Sequence, residues 1–262
     1  MQSLRTAATG MAAQQLNVEV ISNNIANMNT VGYKRQRAEF QDLLYQTLER
    51  AGAQSSDQGN IVPTGVQIGG GVKAGSVYRI QEQGALTKTD NQYDVAIQGR
   101  GFLQVLLPSG EIAYTRAGNL SVNADGQLVN ADGYTIEPAI TIPTDAVSVS
   151  ISKDGQVQAT RDGQSTPDVV GQIELATFVN EAGLESAGDN LLKQTGASGD
   201  PTTGTPGSTG FGTLTQGYTE ASNVDAVSEI TALIVAQRAY EMNAKVITAS
   251  DEMLQAANNV KS

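Results

Sequence analysis

The sequence predicts an α+β protein whose N- and C-terminal helices pair as a coiled-coil-like domain, with an intervening antiparallel β-rich domain. Apolar residues recur every seven positions near both ends of the chain, whereas the middle alternates with a period of two and contains repeated Asp-Gly turns. We expect the first half of the helical domain at 1–34, an extended connecting segment at 35–76, the β-rich outer domain at 77–217 and the C-terminal helix at 218–262.

The N-terminal helix carries a clear heptad seam. Its seam positions include Leu4, Met11, Val18, Ile21 and Ile25. Such a seam predicts a helix that packs its apolar stripe against another helix. An isolated helix of this kind is marginal in water, so the stripe needs a packing partner. We expect the helix to end near Asn29, because Gly32 follows the periodic run and glycine is a common stop signal.

A second seam lies near the C-terminus. It consists of Leu233, Tyr240, Ile247 and Leu254. We interpret the two seams as helices that pair with each other and with other copies of the chain. Two ordinary amphipathic helices of one globular core are the alternative. Either Ser222 or Asn223 is expected to cap the second helix, because both side chains can accept a hydrogen bond from a free backbone N–H group.

Asparagine is unusually frequent around the end of the first helix. The residues concerned are Asn17, Asn23, Asn24 and Asn27. Asparagine is a poor residue for a helix interior, because its amide competes for backbone hydrogen bonds. The cluster is explained if these amides form hydrogen bonds across a helix–helix contact. A frayed, solvated helix end is the alternative.

The segment after the first helix combines apolar and polar stretches. Its apolar residues are spaced as in a short amphipathic helix: Phe40, Leu43, Leu44 and Leu48. Residues 52–59 are small and polar, as in a loop or an extended arm. A small basic cluster precedes both stretches and consists of Lys34, Arg35 and Arg37. We interpret this cluster as a solvated face or as a contact with an acidic neighbouring copy.

The middle of the chain reads as an antiparallel β-domain. Alternation with a period of two predicts strands at 93–97, 101–107, 147–151 and 173–179. Asp-Gly pairs lie between them and predict tight turns, since glycine accepts a positive φ at little cost. Residues 196–213 are rich in glycine, threonine, serine and proline, so we expect an exposed loop or a linker there.

Composition argues against catalysis and against most ligands. The chain has no cysteine and no histidine, which excludes disulfides, Ser-His triads, cysteine nucleophiles and the usual zinc sites. No pair of carboxylates has a spacing that singles it out. The glycine-rich stretch at 65–75 does not match a phosphate-binding loop. A calcium loop ending at Asp132 would begin at Ser121 and would lack the bidentate Glu. We therefore expect no enzyme, no metal and no cofactor.

Charge and hydropathy limit the partners. The net charge of −11 repels phosphate backbones, so we expect no nucleic-acid binding. The N-terminus lacks the long apolar run of a signal peptide, and the longest largely apolar run, at 230–236, is too short to span a bilayer. We expect no direct membrane insertion and, if the protein leaves the cytoplasm, export without a cleaved signal peptide.

Both ends and the middle of the chain resemble the bacterial flagellar rod and hook proteins. Residues 22–34 resemble the N-terminal signature of this family, residues 93–102 and 114–120 its central β-domain motif, and residues 220–225 and 236–243 its C-terminal signature. The signature residues at the N-terminus are Asn23, Asn24, Asn27, Asn29, Gly32, Tyr33 and Lys34. The large outer domain of hook proteins is missing from this sequence.

The resemblance implies a structural subunit that polymerises into a helical tube in the flagellar basal body. Residues 36–59 are similar to the segment that distinguishes the distal rod from the hook, which implies the distal rod, a rigid drive shaft that transmits motor torque through the periplasm to the hook. The implied partners are other copies of the chain, proximal-rod proteins, the hook protein, the surrounding ring (bushing) proteins and the flagellar type III export apparatus. A proximal-rod or hook-type subunit, a secreted β-rich adhesin with an oligomerising helical stalk, and a carboxylate-based hydrolase remain alternatives.

Overall fold

A computed structural model describes residues 2–50, 64–163 and 166–261. The chain divides into two compact units. The helical unit comprises residues 1–25, 36–78 and 226–262, and the β unit comprises residues 26–35 and 79–225. Terminal helices and a β-rich middle confirm the predicted α+β class. The predicted division into four segments remains a prediction.

The helical unit contains both terminal helices, α1 (Gln2–Ala26) and α2 (Ala226–Lys261). The first helix thus ends three residues before Asn29. The expected cap of the second helix is wrong, because α2 begins three residues after Asn223. The amide group of Asn223 instead binds backbone groups of Arg35, Ile80 and Glu82 within the β unit.

The segment that follows α1 is extended rather than helical. It forms β1 (Gln36–Asp42) and β2 (Tyr45–Glu49), which pair with β4 (Val72–Arg79) and β3 (Val66–Gly69), respectively. The short helix predicted from Phe40, Leu43, Leu44 and Leu48 is therefore wrong. The same apolar residues fit either structure, and the pairing of β1 with β4 and of β2 with β3 decides in favour of strands. Half-buried and exposed side chains alternate along most of β1. The predicted polar arm at 52–59 lies outside the described residues.

The β unit consists of short strands joined by tight turns. In chain order they are β5 (Leu86–Lys88), β6 (Val95–Gln98), β7 (Phe102–Leu106), β8 (Ile112–Thr115), β9 (Ser121–Val122), β10 (Leu128–Val129), β11 (Thr135–Glu137), β12 (Ala146–Ile151), β13 (Gln156–Arg161), β14 (Asp168–Gln172), β15 (Leu175–Thr177), β16 (Glu185–Gly188), β17 (Leu191–Lys193), β18 (Thr202–Gly204), β19 (Thr213–Gln216) and β20 (Tyr218–Glu220). A 3₁₀ turn at Glu181–Gly183 precedes β16.

Antiparallel pairing joins these strands into several sheets. Among the described residues, the largest sheet has nine strands, in the order β16-β17-β8-β7-β11-β10-β9, and β15 joins it by pairing with β7 and β18. Strands β12, β13 and β14 form a separate sheet, while β19 pairs with β6 and β20 with β5. The predicted strands at 93–97, 101–107, 147–151 and 173–179 correspond to β6, β7, β12 and β15.

One predicted loop contains a strand. Residues 196–213 include β18, which pairs with β15, and Ser198 is buried there. The prediction of an exposed linker is therefore wrong for this part, since small polar residues are compatible with the edge of a sheet. The expected Asp-Gly turns are confirmed. Their glycines have φ angles between 79° and 84°: Gly126, Gly133, Gly155 and Gly163.

The β unit buries its own apolar core. The central side chains have no exposed surface and include Leu103, Leu128, Ile136, Val157 and Leu175. A second cluster stacks three aromatic rings edge to face, with ring centroids 6.2 Å apart for Phe102 and Phe178 and 4.8 Å apart for Tyr114 and Phe178. Burial on this scale stabilises a fold by about 25 cal/mol per Å² of apolar surface.

Candidate functional site

The second half of the N-terminal signature is packed inside the β unit. The N–H group of Gly32 donates a hydrogen bond to the carbonyl oxygen of Glu220, 2.8 Å away. Gly32 has a φ of 71°, and a Cβ atom at this position would lie 2.7 Å from the nitrogen of Ala117 and 2.8 Å from the carbonyl carbon of Arg116. Both the backbone conformation and the lack of space therefore require glycine.

Three charged side chains form a buried ion cluster, which we call the Glu220 cluster: Lys34, Arg116 and Glu220. The ammonium group of Lys34 lies 2.6 Å from one carboxylate oxygen of Glu220, and Nε of Arg116 lies 2.7 Å from the other. The side chains of Lys34, Arg116 and Glu220 are 5%, 8% and 0% exposed. A carboxylate without water needs such paired, hydrogen-bonded cations to remain charged.

Backbone groups complete the hydrogen bonding of the Glu220 cluster. The N–H group of Gly84 donates to Oε1 of Glu220 at 2.9 Å, and the Lys34 ammonium also donates to the carbonyl oxygen of Glu82 at 2.7 Å. Nη1 of Arg116 donates to two carbonyl oxygens at 2.8 Å each, those of Gly99 and Gly101. The cluster thus connects strand β20 to the signature segment and to the loops around β6.

Burial and pairing act in opposite directions on the charges of this cluster. Burial lowers the pKa of Lys34, and its hydrogen bond to Glu220 only partly offsets that effect. Burial by itself raises the pKa of the Glu220 carboxyl, but the Arg116 charge and the contact with Lys34 outweigh it, so the pKa lies below its usual range. The carboxylate therefore stays ionised at neutral pH.

The cluster corrects one interpretation of the sequence. Lys34 was expected on a solvated face or in contact with a neighbouring copy, yet it is buried against Glu220, which lies 186 residues away along the chain. Glu220 and Arg116 were not predicted as site residues. Each is a charged residue at the end of a strand and inside a family signature, and that combination was the available signal.

The first half of the signature connects the helices of the helical unit. Asn24 is 1% exposed, and its amide group exchanges two hydrogen bonds of 2.8 Å with the backbone of Gln36. Its Nδ2 atom also donates to Oε2 of Glu229 in α2 at 3.1 Å. The expected hydrogen bond across a helix–helix contact is thereby confirmed for Asn24. Asn27 is half-buried and accepts a hydrogen bond from the hydroxyl of Thr30, while Asn23 and Asn29 are exposed and Tyr33 is half-buried.

Small and polar residues mark part of the contact between helices α1 and α2. Three pairs mark the contact: Ser3 with Ser250, Gly10 with Asn243, and Asn24 with Glu229. The hydroxyl oxygens of the first pair lie 3.4 Å apart, and a Cβ atom on Gly10 would lie 3.0 Å from the amide nitrogen of Asn243. The order of the pairs makes the two helices antiparallel. Their residues are themselves spaced by multiples of seven, so a second heptad exists beside the predicted one.

The predicted seam residues lie beside this contact and are only partly covered. Ile21 is buried, whereas Tyr240 and Leu254 are 42% and 43% exposed. The others are half-buried: Leu4, Met11, Val18, Ile25, Leu233 and Ile247. Val18 and Tyr240 line the same groove, together with Glu19 and Glu241. The assignment of these residues to contacts between copies remains a prediction.

The described residues contain neither a cluster of metal ligands nor a membrane-spanning helix. Within 2–50, 64–163 and 166–261, no group of three or more acidic side chains is placed to hold a metal ion. In the same part of the chain, no helix combines the length and the hydropathy needed to cross a bilayer.

Terminal helices that leave an apolar heptad stripe exposed, on a chain whose β unit has its own core, are the features of a self-assembling structural protein. Three family models match the chain: "Flagella basal body rod protein" at residues 4–34, "Flagellar hook protein FlgE/F/G D1 domain" at residues 96–159, and "Flagellar basal body rod FlgEFG protein C-terminal" at residues 215–260.

Full-length relatives agree with these matches. The flagellar basal-body rod protein FlgG of Caulobacter vibrioides is 70% identical over 262 residues, which is 100% of both chains. The proteins of the same name from Agrobacterium fabrum and Bacillus subtilis are 53% and 40% identical and cover 97% and 100% of this chain, and 97% and 99% of their own. The chain belongs to the family of flagellar basal-body rod proteins FlgG. The resemblance inferred from the sequence is confirmed.

Proposed function

We propose that this chain is a structural subunit that polymerises into the distal rod of the bacterial flagellar basal body, the drive shaft that transmits motor torque to the hook. The observation that carries the proposal is the apolar stripe of α2, which no other part of the described chain covers fully, on a protein of the basal-body rod family. Such a stripe gains stability when a second copy covers it.

The stripe is suited to repeated contacts between copies. Its exposed members include Ile230, Tyr240, Met253 and Leu254. Each square ångström of apolar surface removed from water contributes about 25 cal/mol, so many identical contacts stabilise a long polymer even when each is small. Head-to-tail contacts that do not close into a ring produce a helical tube. The seam residues predicted from the sequence are the ones we assign to this packing.

The extended segment after α1 supplies a second assembly surface. The β2–β3 hairpin exposes large apolar side chains, and Leu44, Tyr45 and Leu48 are 93%, 56% and 58% exposed. Exposed apolar residues at this density are typical of surfaces that another protein covers. We propose that this segment lies along neighbouring copies, as the resemblance of residues 36–59 to the distal-rod segment implies.

The proposal also defines partners and location. The chain acts as a building block rather than as an enzyme and takes no cofactor. It contacts proximal-rod proteins, the hook protein and the surrounding ring proteins in the periplasm-spanning rod. It reaches that position through the flagellar type III export apparatus, without a cleaved signal peptide.

Electron microscopy of basal bodies tests the position in the rod. We expect a strain without this gene to form basal bodies whose rods end before the distal section, and we expect the wild-type gene to restore the full length. Full-length rods in the deletion strain would contradict the proposal. Loss of the proximal section as well would favour a proximal-rod subunit.

A further inference from the structure

The chain passes between its two units four times, after residues 25, 35, 78 and 225. On the β-unit side, three stretches lead to these crossings: residues 26–35, residues 79–84 and residues 218–225. The stretch at 218–225 is held to the body of the unit by the pairing of β20 with β5. The contacts of Glu220 and Asn223 connect all three.

Glu220 binds the other two stretches directly. Its backbone carbonyl accepts from Gly32 at 2.8 Å, and its carboxylate accepts from Lys34 at 2.6 Å and from the N–H group of Gly84 at 2.9 Å. Lys34 in turn donates to the carbonyl oxygen of Glu82 at 2.7 Å. One fully buried carboxylate therefore holds a group from each of the two other stretches.

Asn223 makes a second set of bonds between the same stretches. Its Oδ1 atom accepts from the N–H group of Arg35 at 2.7 Å, and its Nδ2 atom donates to the carbonyl oxygens of Ile80 at 2.9 Å and Glu82 at 3.0 Å. The N–H group of Ile80 closes the set by donating to the carbonyl oxygen of Arg35 at 2.8 Å. Every stretch is thus bonded to both of the others.

Arg116 fixes this arrangement to the main sheet. It directly follows β8, a strand near the middle of the nine-stranded sheet, and its Nε atom lies 2.7 Å from Glu220. Its guanidinium also binds the carbonyl oxygens of Gly99 and Gly101, between β6 and β7. Breaking one contact of a buried ion cluster leaves an unpaired charge without water, so the contacts are expected to open together or not at all.

We propose that Glu220 and Asn223 bind the three stretches into one bracket, so that the four crossings transmit force between the units together rather than as independent linkers. The idea that the bracket carries torque rests on the proposed rod function. The idea that the bracket opens cooperatively does not depend on that function.

Amide hydrogen exchange on the dissolved full-length chain tests the bracket itself. In the wild type, we expect the amides of Gly32, Arg35, Ile80 and Gly84 to exchange with a common opening free energy, since they are bonded within one network. Glu220→Gln leaves two buried cations without their counter-charge, so we expect all four amides to exchange faster by on the order of a hundredfold or more. If these four amides of the wild type have clearly different opening free energies, the proposal is overturned.

Two further variants separate the bracket from general stability. Glu111→Gln removes an ion pair with Lys193, 2.8 Å long and with side chains 63% and 42% exposed, and should leave the four amides unchanged. Asn223→Ala removes bonds without changing the charge, and is informative if Glu220→Gln fails to fold. We expect Asn223→Ala to raise the exchange rates of all four amides. A higher exchange rate at the Arg35 amide alone would contradict the bracket. Protection in β13 of the same variant should change much less.

Swimming at increasing viscosity tests the mechanical purpose. We expect a strain with Glu220→Gln to assemble rods and to lose speed more steeply than the wild type or the Glu111→Gln strain as the load rises. Equal speeds at every viscosity, or no rods from a variant whose exchange pattern is unchanged, would overturn the mechanical proposal. A wild-type gene that fails to restore rods to a deletion strain would reject the proposed function instead, and the exchange result would still decide whether the bracket exists.

Discussion

The two units of this protein treat their apolar residues in opposite ways. The β unit buries Leu103, Ile136 and Leu175 completely, whereas the helical unit leaves Tyr240 and Leu254 more than two-fifths exposed. The core of the β unit is therefore covered within one chain. The helical unit leaves part of its apolar heptad open to solvent, and the difference teaches that one chain covers the core of one unit more fully than the seam of the other.

The contact between α1 and α2 accounts for part of this difference in burial. The helices meet through Ser3, Gly10 and Asn24 on one side, and small or polar residues face them from α2. Such residues allow a close approach and fix the register through hydrogen bonds, but they bury little apolar surface. The adjacent apolar heptad stays partly exposed.

The largest effect is expected from a charge in the partly covered seam of α2. Leu233→Asp should abolish polymer growth, since a carboxylate buried between copies costs several kcal/mol at every repeated contact. The same change should leave the β unit intact, because Leu233 belongs to the helical unit. Sedimentation measures the polymer, and amide exchange in the β-unit strands measures the fold.

Leu233→Ile is the matched control for this variant. It keeps the volume and the hydropathy of the side chain, so polymer growth should continue. Normal rods from the aspartate variant would contradict the assignment of the stripe to contacts between copies. Faster amide exchange throughout the β unit of the aspartate variant would contradict the expectation that this change affects only the helical unit.

A pair of leucine truncations compares the two units in the monomer. Leu175→Ala removes a side chain with no exposed surface and should lower the free energy of unfolding of the β unit by about 2–5 kcal/mol. Leu254→Ala removes a side chain that is 43% exposed and should change the stability of the dilute monomer by less than about 1 kcal/mol. Urea unfolding followed by tyrosine fluorescence measures both variants. Equal losses of unfolding free energy would contradict the view that the two leucines differ in burial within one chain.

Local periodicity predicted much of this fold. The heptads at both termini, the period of two in the middle and the Asp-Gly turns are signals within a few residues, and all correspond to observed elements. The extended segment was misread because the spacing of Phe40, Leu43, Leu44 and Leu48 fits a helix as well as a strand. Only the pairing of β1 with β4 and of β2 with β3, both further along the chain, decides between them.

The site was less predictable, because its parts are distant in sequence. Lys34 lies in a short basic run, and nothing near it indicates a buried partner. Glu220 is 186 residues away, and Arg116 comes from between them. Of the small and polar residues that join the helices, only Asn24 was predicted, since hydrophobic patterning selects the apolar heptad beside them. Long-range pairing and polar packing are the features that periodicity does not detect.

A final prediction, narrower in range than that for Leu175→Ala, concerns the way the signature segment enters the β unit. Gly32→Ala meets two obstacles, a φ of 71° and backbone atoms 2.7 and 2.8 Å from the new Cβ, and should destabilise the β unit by about 2–3 kcal/mol. Gly110→Ala is the matched control, since its φ is 84° and its Cβ would meet no described atom within 4 Å, so that only the conformational cost of about 1 kcal/mol remains. Urea unfolding of the two variants isolates the close approach to Arg116 and Ala117. Equal losses would mean that the signature glycine is required by its backbone conformation alone, and that the segment is not tightly packed against the β unit.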